Sequence, residues 1–185
     1  VRLPIWGISK YTGLVTIHQN VKNKWSQVEN QYQRRSDLIP NLVNVVKGYT
    51  SHERETLEGV INARSKATST TINANDMDEA ALQRFQQNQD ALSSALSRLM
   101  VVVEKYPDLK ANEQFRDLSS QLEGTENRIT TARRDFNDAA QQYNTHRNKF
   151  PTVIVAGLAG FRERPYFTAQ AGSEVAPTVD FSTEK

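Results

Sequence analysis

Apolar positions recur every three or four residues along most of the chain, the spacing of a helix with one buried face. The longest unbroken run spans 36 residues close to the C-terminal end. Its members are Phe115, Leu118, Leu122, Thr125, Ile129, Ala132, Phe136, Ala139, Tyr143, His146 and Phe150. A helix of this length is a packing surface, and it needs partner helices to cover its apolar face.

Three earlier stretches have the same period and supply those partners. The first begins at Lys10 and carries Tyr11, Leu14, His18, Val21, Trp25, Val28 and Tyr32. The second, from about Leu38 to Ala67, carries Leu42, Val46, Tyr49, Glu53, Thr56, Val60 and Ala63. The third carries Leu82, Phe85, Gln89, Leu92, Leu96, Leu99, Val103 and Tyr106.

The helix boundaries follow from capping and proline signals. Ser36 or Asp37 is a suitable N-cap with Pro40 in the first turn, so we expect a turn at residues 34–40. The spacing also continues through this region, so one helix kinked at Pro40 is the alternative. We expect a loop at 65–75 and a capping box of Asp76 and Glu79. Pro107 should end the third helix and Asp108 should cap the fourth, which ends at Phe150 before Pro151.

These elements predict an all-α fold: an elongated, antiparallel, up-and-down four-helix bundle over residues 10–150 with extended N- and C-terminal arms. Residues 1–9 form an apolar arm, because Pro4 and Gly7 should break a helix. Residues 151–185 form a second arm that packs on the bundle or on a neighbour. It contains a short helix or tight turn at 153–161 and an alternating segment from Val175 to Phe181.

The composition of the chain argues against several classes of function. The net charge of +2 comes from 23 basic and 21 acidic residues, a balance that argues against a nucleic-acid binder. The absence of cysteine excludes disulfides and thiolate chemistry. No stretch approaches the ~20 apolar residues of a membrane span. The chain starts at Val1 and not at Met, so we expect that an N-terminal segment was removed, naturally or by design.

The residues offer little catalytic chemistry. His52-Glu53-Arg54-Glu55 begins like a zinc-protease motif, but Thr56 stands where the second histidine is needed. We therefore predict no catalytic, metal-binding or cofactor-binding residues. Glu53 falls on an apolar face and needs a partner, for which Arg35, His52 or a tyrosine hydroxyl would serve.

The densest basic region is Arg34-Arg35, with Lys22, Lys24 and Lys47 nearby in the sequence. A solvated helix face, offset by Glu29 and Asp37, is the favoured interpretation. Contact with anionic lipid head groups is the alternative.

The chain closely resembles the LemA family over about residues 11–181. The shared motifs begin with Trp25 to Val28, Gln33 to Val43, Val46 to Tyr49, His52-Glu53, Thr56-Leu57 and Ala63-Arg64. They continue with Leu92 to Leu99, Glu104 to Asn112, Phe115, Leu118, Leu122, Thr125 to Ile129, Ala132-Arg133, Phe136-Asn137 and Tyr143 to Thr145. They end with Phe150-Pro151, Gly160-Phe161, Tyr166-Phe167, Pro177, Val179 and Phe181.

The resemblance implies a bacterial four-helix bundle, usually behind an N-terminal membrane-spanning helix that is missing here, with no enzymatic activity and no cofactor. We expect membrane association, or processing and release from the cell as the alternative. The implied partners are proteins, including the chain itself as a homo-oligomer. A scaffold is the leading function. A self-assembling subunit that uses the apolar arms, and a metal-binding or enzymatic bundle, are the alternatives.

Within the resemblance, a polar tie from Arg34 or Arg35 to Asp37 or Glu53 is expected at the junction of the first two helices. The residues expected to carry structure or interaction are Trp25, Arg34, Arg35, Asp37, Pro40, Tyr49, Glu53, Tyr106, Pro107, Asn127, Tyr143, Phe150, Phe161, Tyr166 and Phe167.

Overall fold

A computed structural model describes residues 2–50, 52–72, 77–149 and 152–167. Regular structure in these ranges is helical throughout, which confirms the all-α class. The helices are α1 (Arg2–Tyr49), α2 (Arg54–Ser69), α3 (Glu79–Val103), α4 (Pro107–Ala111), α5 (Glu113–Asn148) and α6 (Thr152–Ala159).

Helix α1 is continuous for 48 residues, so the predicted turn at 34–40 is wrong. The chain reverses between Tyr49 and Arg54 instead, and the second helix is correspondingly short. The apolar spacing runs through both regions because the inner faces of α1 and α2 point into one core, so periodicity alone did not locate the reversal.

The predicted extended arm at 1–9 is also wrong, because α1 begins at Arg2. Pro4 falls in the first turn, where its missing N–H would have no intrahelical acceptor. Gly7 inside a helix costs only about 1 kcal/mol relative to alanine. Neither residue is therefore sufficient to stop the helix.

Two expected N-caps and one expected helix end differ from the structure. The N-cap of α3 is Asp78, whose carboxylate accepts a 2.6 Å hydrogen bond from the Ala81 N–H; Asp76 lies outside the described residues. Helix α3 ends at Val103, and Pro107 opens α4. Asp108 lies within α4, and α5 is capped by Asn112, whose side chain accepts a 2.9 Å hydrogen bond from the Phe115 N–H.

Helices α1 and α5 form the longest contact and run in opposite directions. As residue numbers rise along α1, those of the contact partners fall. His18 contacts Tyr143 and Trp25 contacts Phe136. Further along, Arg35 contacts Glu126 and Tyr49 contacts Asn112. Helix α2 packs chiefly on α3, and α6 packs on both α1 and α5. The apolar face of α5 is buried from Phe115 to Tyr143, His146 is half-buried, and Phe150 lies outside the described residues.

The buried apolar residues form two clusters. The first cluster draws on α2, α4, the second part of α1 from Ile39, the end of α3 and the start of α5. The second cluster draws on Val21 to Tyr32 of α1, the start of α3 and the end of α5. It also takes in Phe167, which follows α6 and packs on Trp25 and Phe136 at ring centroid distances of 6.1 and 5.6 Å.

Candidate functional site: polar ties between helices and a docked C-terminal segment

A polar layer separates the two clusters. Its centre is Arg35, which is only 1% exposed and lies between Tyr32 of the second cluster and Ile39 of the first. Gln89 and Glu126 occupy the corresponding boundary positions on α3 and α5. We define this polar layer as Arg35, Gln89, Ser93 and Glu126.

Four hydrogen bonds hold the Arg35 guanidinium. Nη1 donates to Ser93 Oγ at 2.6 Å and to Glu126 Oε1 at 2.9 Å. Nη2 donates to the Gln89 backbone oxygen at 3.0 Å and to Gln89 Oε1 at 2.7 Å. The layer thus ties α1 to α3 and α5 through a charge-assisted network. The predicted partners of Arg35, Asp37 and Glu53, are wrong. The expected junction between two helices is also absent at this motif, because α1 runs through it unbroken.

Burial of Arg35 also changes the expected basic region. Because its guanidinium faces the interior, a lipid-contacting surface that includes Arg35 is wrong. Arg34 and Asp37 are exposed, and Asp37 accepts a 2.9 Å hydrogen bond from Gln33 on the same helix. Burial raises the pKa of the neighbouring Tyr32 hydroxyl to about 12, even though Arg133 and Arg35 lie close to it.

Pro40 removes one rung of the α1 hydrogen-bond ladder. Proline has no N–H, so the Ser36 carbonyl four residues earlier loses its intrahelical donor. Arg64 of α2 supplies a replacement: its Nε donates to the Ser36 oxygen at 2.9 Å. This contact satisfies a polar group beside the buried face of α1, where an unpaired carbonyl is costly.

Two polar contacts close the end of the molecule where α1 turns into α2. The Tyr106 hydroxyl donates to Glu53 Oε1 at 2.9 Å, so the tyrosine partner expected for Glu53 is the one observed. Asn112 Nδ2 donates to the Tyr49 hydroxyl at 2.8 Å. Tyr49 itself is 45% exposed and does not extend the buried face.

At the opposite end, residues 161–167, which we name the docked segment, lie along α5. Two asparagines seven positions apart on α5 form hydrogen bonds with the backbone of the docked segment. Asn144 accepts from the Arg164 N–H at 2.7 Å and donates to the Arg164 oxygen at 2.8 Å. Asn137 does the same with Phe167, at 2.8 and 3.1 Å. Seven helical residues rise about 10 Å, which three residues span only when nearly extended.

The docked segment begins with a defined turn. Gly160 has φ of +79°, a left-handed conformation that favours glycine. The Phe161 N–H then donates to the Ala156 oxygen at 3.0 Å, the long bond of a Schellman motif. This turn places the Phe161 ring against Tyr11 and His18, at centroid distances of 5.9 and 5.6 Å.

Arg164 of the docked segment is 7% exposed and reaches His18 of α1. Its Nη2 lies 3.0 Å from His18 Nε2 and 3.1 Å from Nδ1. Burial, and then the positive charges of Arg164 and Lys22, lower the pKa of His18 to about 4. His18 is therefore neutral near pH 7 and can accept a hydrogen bond from the guanidinium.

Most of the remaining predicted residues belong either to the core or to the docked segment. Trp25 and Tyr143 are core residues with 1% and 0% exposure. Phe161, Tyr166 and Phe167 belong to the docked segment, and the Tyr166 hydroxyl bonds to Asn144 at 2.8 Å. Pro107 starts α4, Asn127 is exposed, and Phe150 lies outside the described residues. Asn137, Asn144, Arg64 and Gln89 were missed, because an isolated polar residue on a helix gives no sign of what it binds.

Among the described residues, no three histidine, aspartate or glutamate side chains are grouped to hold a metal ion. Within the same ranges, no helix has an apolar run that would cross a bilayer. The buried polar groups described above join helices to one another or fasten the docked segment. Together they define a class of all-helical proteins whose internal polar contacts serve helix association.

The chain belongs to the LemA family, whose sequence profile matches residues 24–181. Relatives include magnetosome protein MamQ 2 of Paramagnetospirillum magneticum, 26% identical, and magnetosome protein MamQ of Magnetospirillum gryphiswaldense, 25% identical. Both alignments cover 86% of this chain and 65% of the relative. Protein LemA of Metamycoplasma hominis is 25% identical over 80% of this chain and 64% of its own length. The chain thus spans about two thirds of these bacterial relatives.

Proposed function

We propose that this chain is a non-enzymatic scaffold, a four-helix up-and-down bundle that binds protein partners on its outer faces close to a bacterial membrane. The proposal rests on the burial and hydrogen bonding of the Arg35 guanidinium. Both terminal nitrogens of this buried cation are engaged by groups on α3 and α5. The central charged group therefore holds helices together and is not poised for a substrate.

The helix directions support the bundle. Contacts pair α1 with α5 in opposite senses, and Glu53–Tyr106 and Thr70–Asn88 contacts pair α2 with α3 in opposite senses. The membrane setting is supported by the LemA family, whose members usually follow a membrane-spanning helix. The names of the MamQ relatives link those proteins to magnetosomes. By analogy, we propose that this chain also acts at a defined structure of a bacterial cell.

The test uses the full-length protein in its bacterial host. A photo-crosslinking amino acid is placed at Ile61 on α2 or at Val101 on α3, which are 44% and 67% exposed. We expect recovery in the membrane fraction and discrete crosslinks to the same protein from repeated experiments. The matched control is exposed Thr131 on α5. Turnover of a substrate by the purified chain, abolished by Glu53→Gln without loss of helicity, would overturn the proposal.

The alternative is a self-assembling structural subunit. The observation that favours it is the way Asn137 and Asn144 hold the docked segment through backbone atoms, which any sequence offers. The same segment of a neighbouring copy would satisfy both asparagines equally well. Sedimentation velocity over a wide concentration range tests this: a monomer at all concentrations contradicts it, and oligomers lost in Asn137→Ala/Asn144→Ala support it.

A further inference from the structure

Helix α6 presents an uncovered apolar face. Its sequence, Thr152–Ala159, contains no charged residue. Thr152 and Ala156, one turn apart, are buried against the bundle. Ile154 and Leu158, also one turn apart and about 200° round the helix from the buried pair, are 52% and 86% exposed.

The first turns of α1 lie beside α6. Gly13 of α1 lies level with His146, two residues before the end of α5, so the residues before Gly13 project past α5. Helix α6 contacts both α1 and α5, and Phe161 just beyond it packs on Tyr11. In this projecting part, Ile5 is 65% exposed and Ile8 is 66% exposed. Both isoleucines lie on the side of α1 opposite the partly buried Trp6, Gly7 and Lys10, so they form a separate exposed pair. We define the apolar tip as Ile154 and Leu158 of α6.

Basic residues predominate on the elements around the apolar tip, which are the start of α1, the end of α5 and α6. Glu29 is the first acidic residue of the sequence, and four basic residues precede it, namely Arg2, Lys10, Lys22 and Lys24. From residue 139 to residue 162 the sequence again has no acidic residue and has three basic ones, Arg147, Lys149 and Arg162. The next acidic residue, Glu163, accepts a 2.7 Å hydrogen bond from Asn148. Asp78 and Glu79, at the start of α3, line the same hollow as Ala159 and Arg162. Basic residues nevertheless outnumber acidic ones at this end of the molecule.

We infer that the apolar tip docks on an anionic lipid bilayer, with Ile154 and Leu158 entering the boundary between head groups and acyl chains. An apolar helical face flanked by lysine and arginine is the pattern of an interfacial membrane contact. A second copy of the chain would bring the same positive charge to the contact, whereas an anionic bilayer brings the opposite charge. The inference rests on the proposed membrane setting and specifies which surface of the chain meets the lipid.

The chain itself, residues 1–185, is mixed with vesicles of phosphatidylcholine alone or with one quarter phosphatidylglycerol, and bound protein is measured by co-sedimentation. We expect binding to the anionic vesicles to be at least tenfold tighter and to weaken as salt is raised. Ile154→Asp/Leu158→Asp should lower the affinity at least tenfold. Lys149→Glu/Arg162→Glu should lower it for anionic vesicles only.

The matched control is Val101→Asp, which introduces the same charge at an exposed apolar position on α3. Circular dichroism verifies that each variant keeps its helicity. Equal binding to both vesicle types, or equal loss in the control and the tip variants, overturns the inference. So does a concentration-dependent dimer that the tip variants abolish, because the face would then be a contact between copies.

The failure of this inference is distinguishable from failure of the scaffold proposal. If the tip variants bind vesicles as the wild type does while the full-length protein still crosslinks its partner at the membrane, the tip inference alone is overturned. If vesicle binding depends on the tip while Ile61 and Val101 crosslink no protein in cells, the scaffold proposal fails and the tip inference is supported.

Discussion

The Nε of Arg64 donates a 2.9 Å hydrogen bond to the backbone carbonyl oxygen of Ser36, the acceptor that Pro40 leaves without a donor. This contact joins two stretches of the chain that are 28 residues apart in sequence. It accounts for the continuity of α1 through a proline, because the lost hydrogen bond is replaced from outside the helix. We therefore expect Pro40 and Arg64 to be energetically coupled.

The first prediction concerns this pair. Arg64→Ala should lower the free energy of unfolding by about 1–3 kcal/mol, since a carbonyl beside the core loses its donor. In a Pro40→Ala background the backbone N–H returns, so the same substitution should cost clearly less. Urea denaturation of the four proteins gives the coupling energy.

Arg54→Ala is the control for the Arg64 cycle, because Arg54 lies on the same helix and pairs only with exposed Glu58. Its effect should be within about 0.5 kcal/mol in both backgrounds. An equal cost of Arg64→Ala with and without Pro40 would contradict the coupling.

The second prediction concerns the polar layer. Glu126→Gln should lower the free energy of unfolding by about 1–2 kcal/mol, because it removes the charge that compensates the buried Arg35 cation, whereas the 39% exposure of Glu126 screens the pair. Arg35→Met, which removes that charge and keeps most of the volume, should cost less than Arg35→Ala. Exposed Glu123 on the same helix is the control, and Glu123→Gln should change stability by less than about 0.5 kcal/mol. Equal effects at positions 123 and 126 would show that the layer contributes little.

The third prediction is a pH dependence. The folded protein holds the pKa of His18 at about 4, below the ordinary value of 6.5, so the unfolded state binds more protons between these values. The contribution of His18 is complete above pH 6.5 and is lost as the pH falls towards 4. After allowance for solvent screening at this partly buried site, we expect a loss of about 1–2 kcal/mol.

The pH effect is measured by urea denaturation at a series of pH values. His18→Gln should remove this component, while exposed His52→Gln should leave the slope unchanged. A slope between pH 6.5 and 4 that is the same in wild type and His18→Gln would contradict the assignment.

The fourth prediction concerns the docked segment. Asn144→Ala removes both hydrogen bonds to the Arg164 backbone and should increase amide exchange at Arg164 at least tenfold. Asn144→Asp keeps an acceptor for the Arg164 N–H, so it should increase exchange there less. Hydrogen exchange followed by mass spectrometry, with limited proteolysis, reports both effects. Asn127→Ala, an exposed asparagine of the same helix, should leave exchange in residues 161–167 unchanged; release of the segment by that control would indicate general loosening.

Sequence periodicity correctly predicted which face of a long helix is buried. The buried face of α5 from Phe115 to Tyr143 is where the three-and-four pattern placed it, because burial on a long helix follows its own period. The position of the reversal was not predictable in this way. Pro40 suggested a break, and the donor that replaces its missing N–H comes from the distant Arg64 side chain.

The polar contacts were predicted only where a motif demanded a partner. A carboxylate on an apolar face required one, and Glu53 has the Tyr106 hydroxyl. Arg35 also required one, but its partners come from helices more than fifty positions away, and sequence proximity pointed to the wrong residues. Asn137 and Asn144 stand within the shared motifs, but their partners were not predictable, since these are mainly backbone atoms of a distant segment.

Phe167, on a non-helical stretch, covers one side of the second cluster. In the first cluster a whole helix, α2, does this. The two halves of the molecule should therefore differ in how they come apart. Lifting seven residues, 161–167, exposes aromatic rings at one end, while the other end opens only if a whole helix is displaced. A protease that removes the docked segment would therefore loosen the end of the molecule that carries α6. The half built on α2 would stay folded.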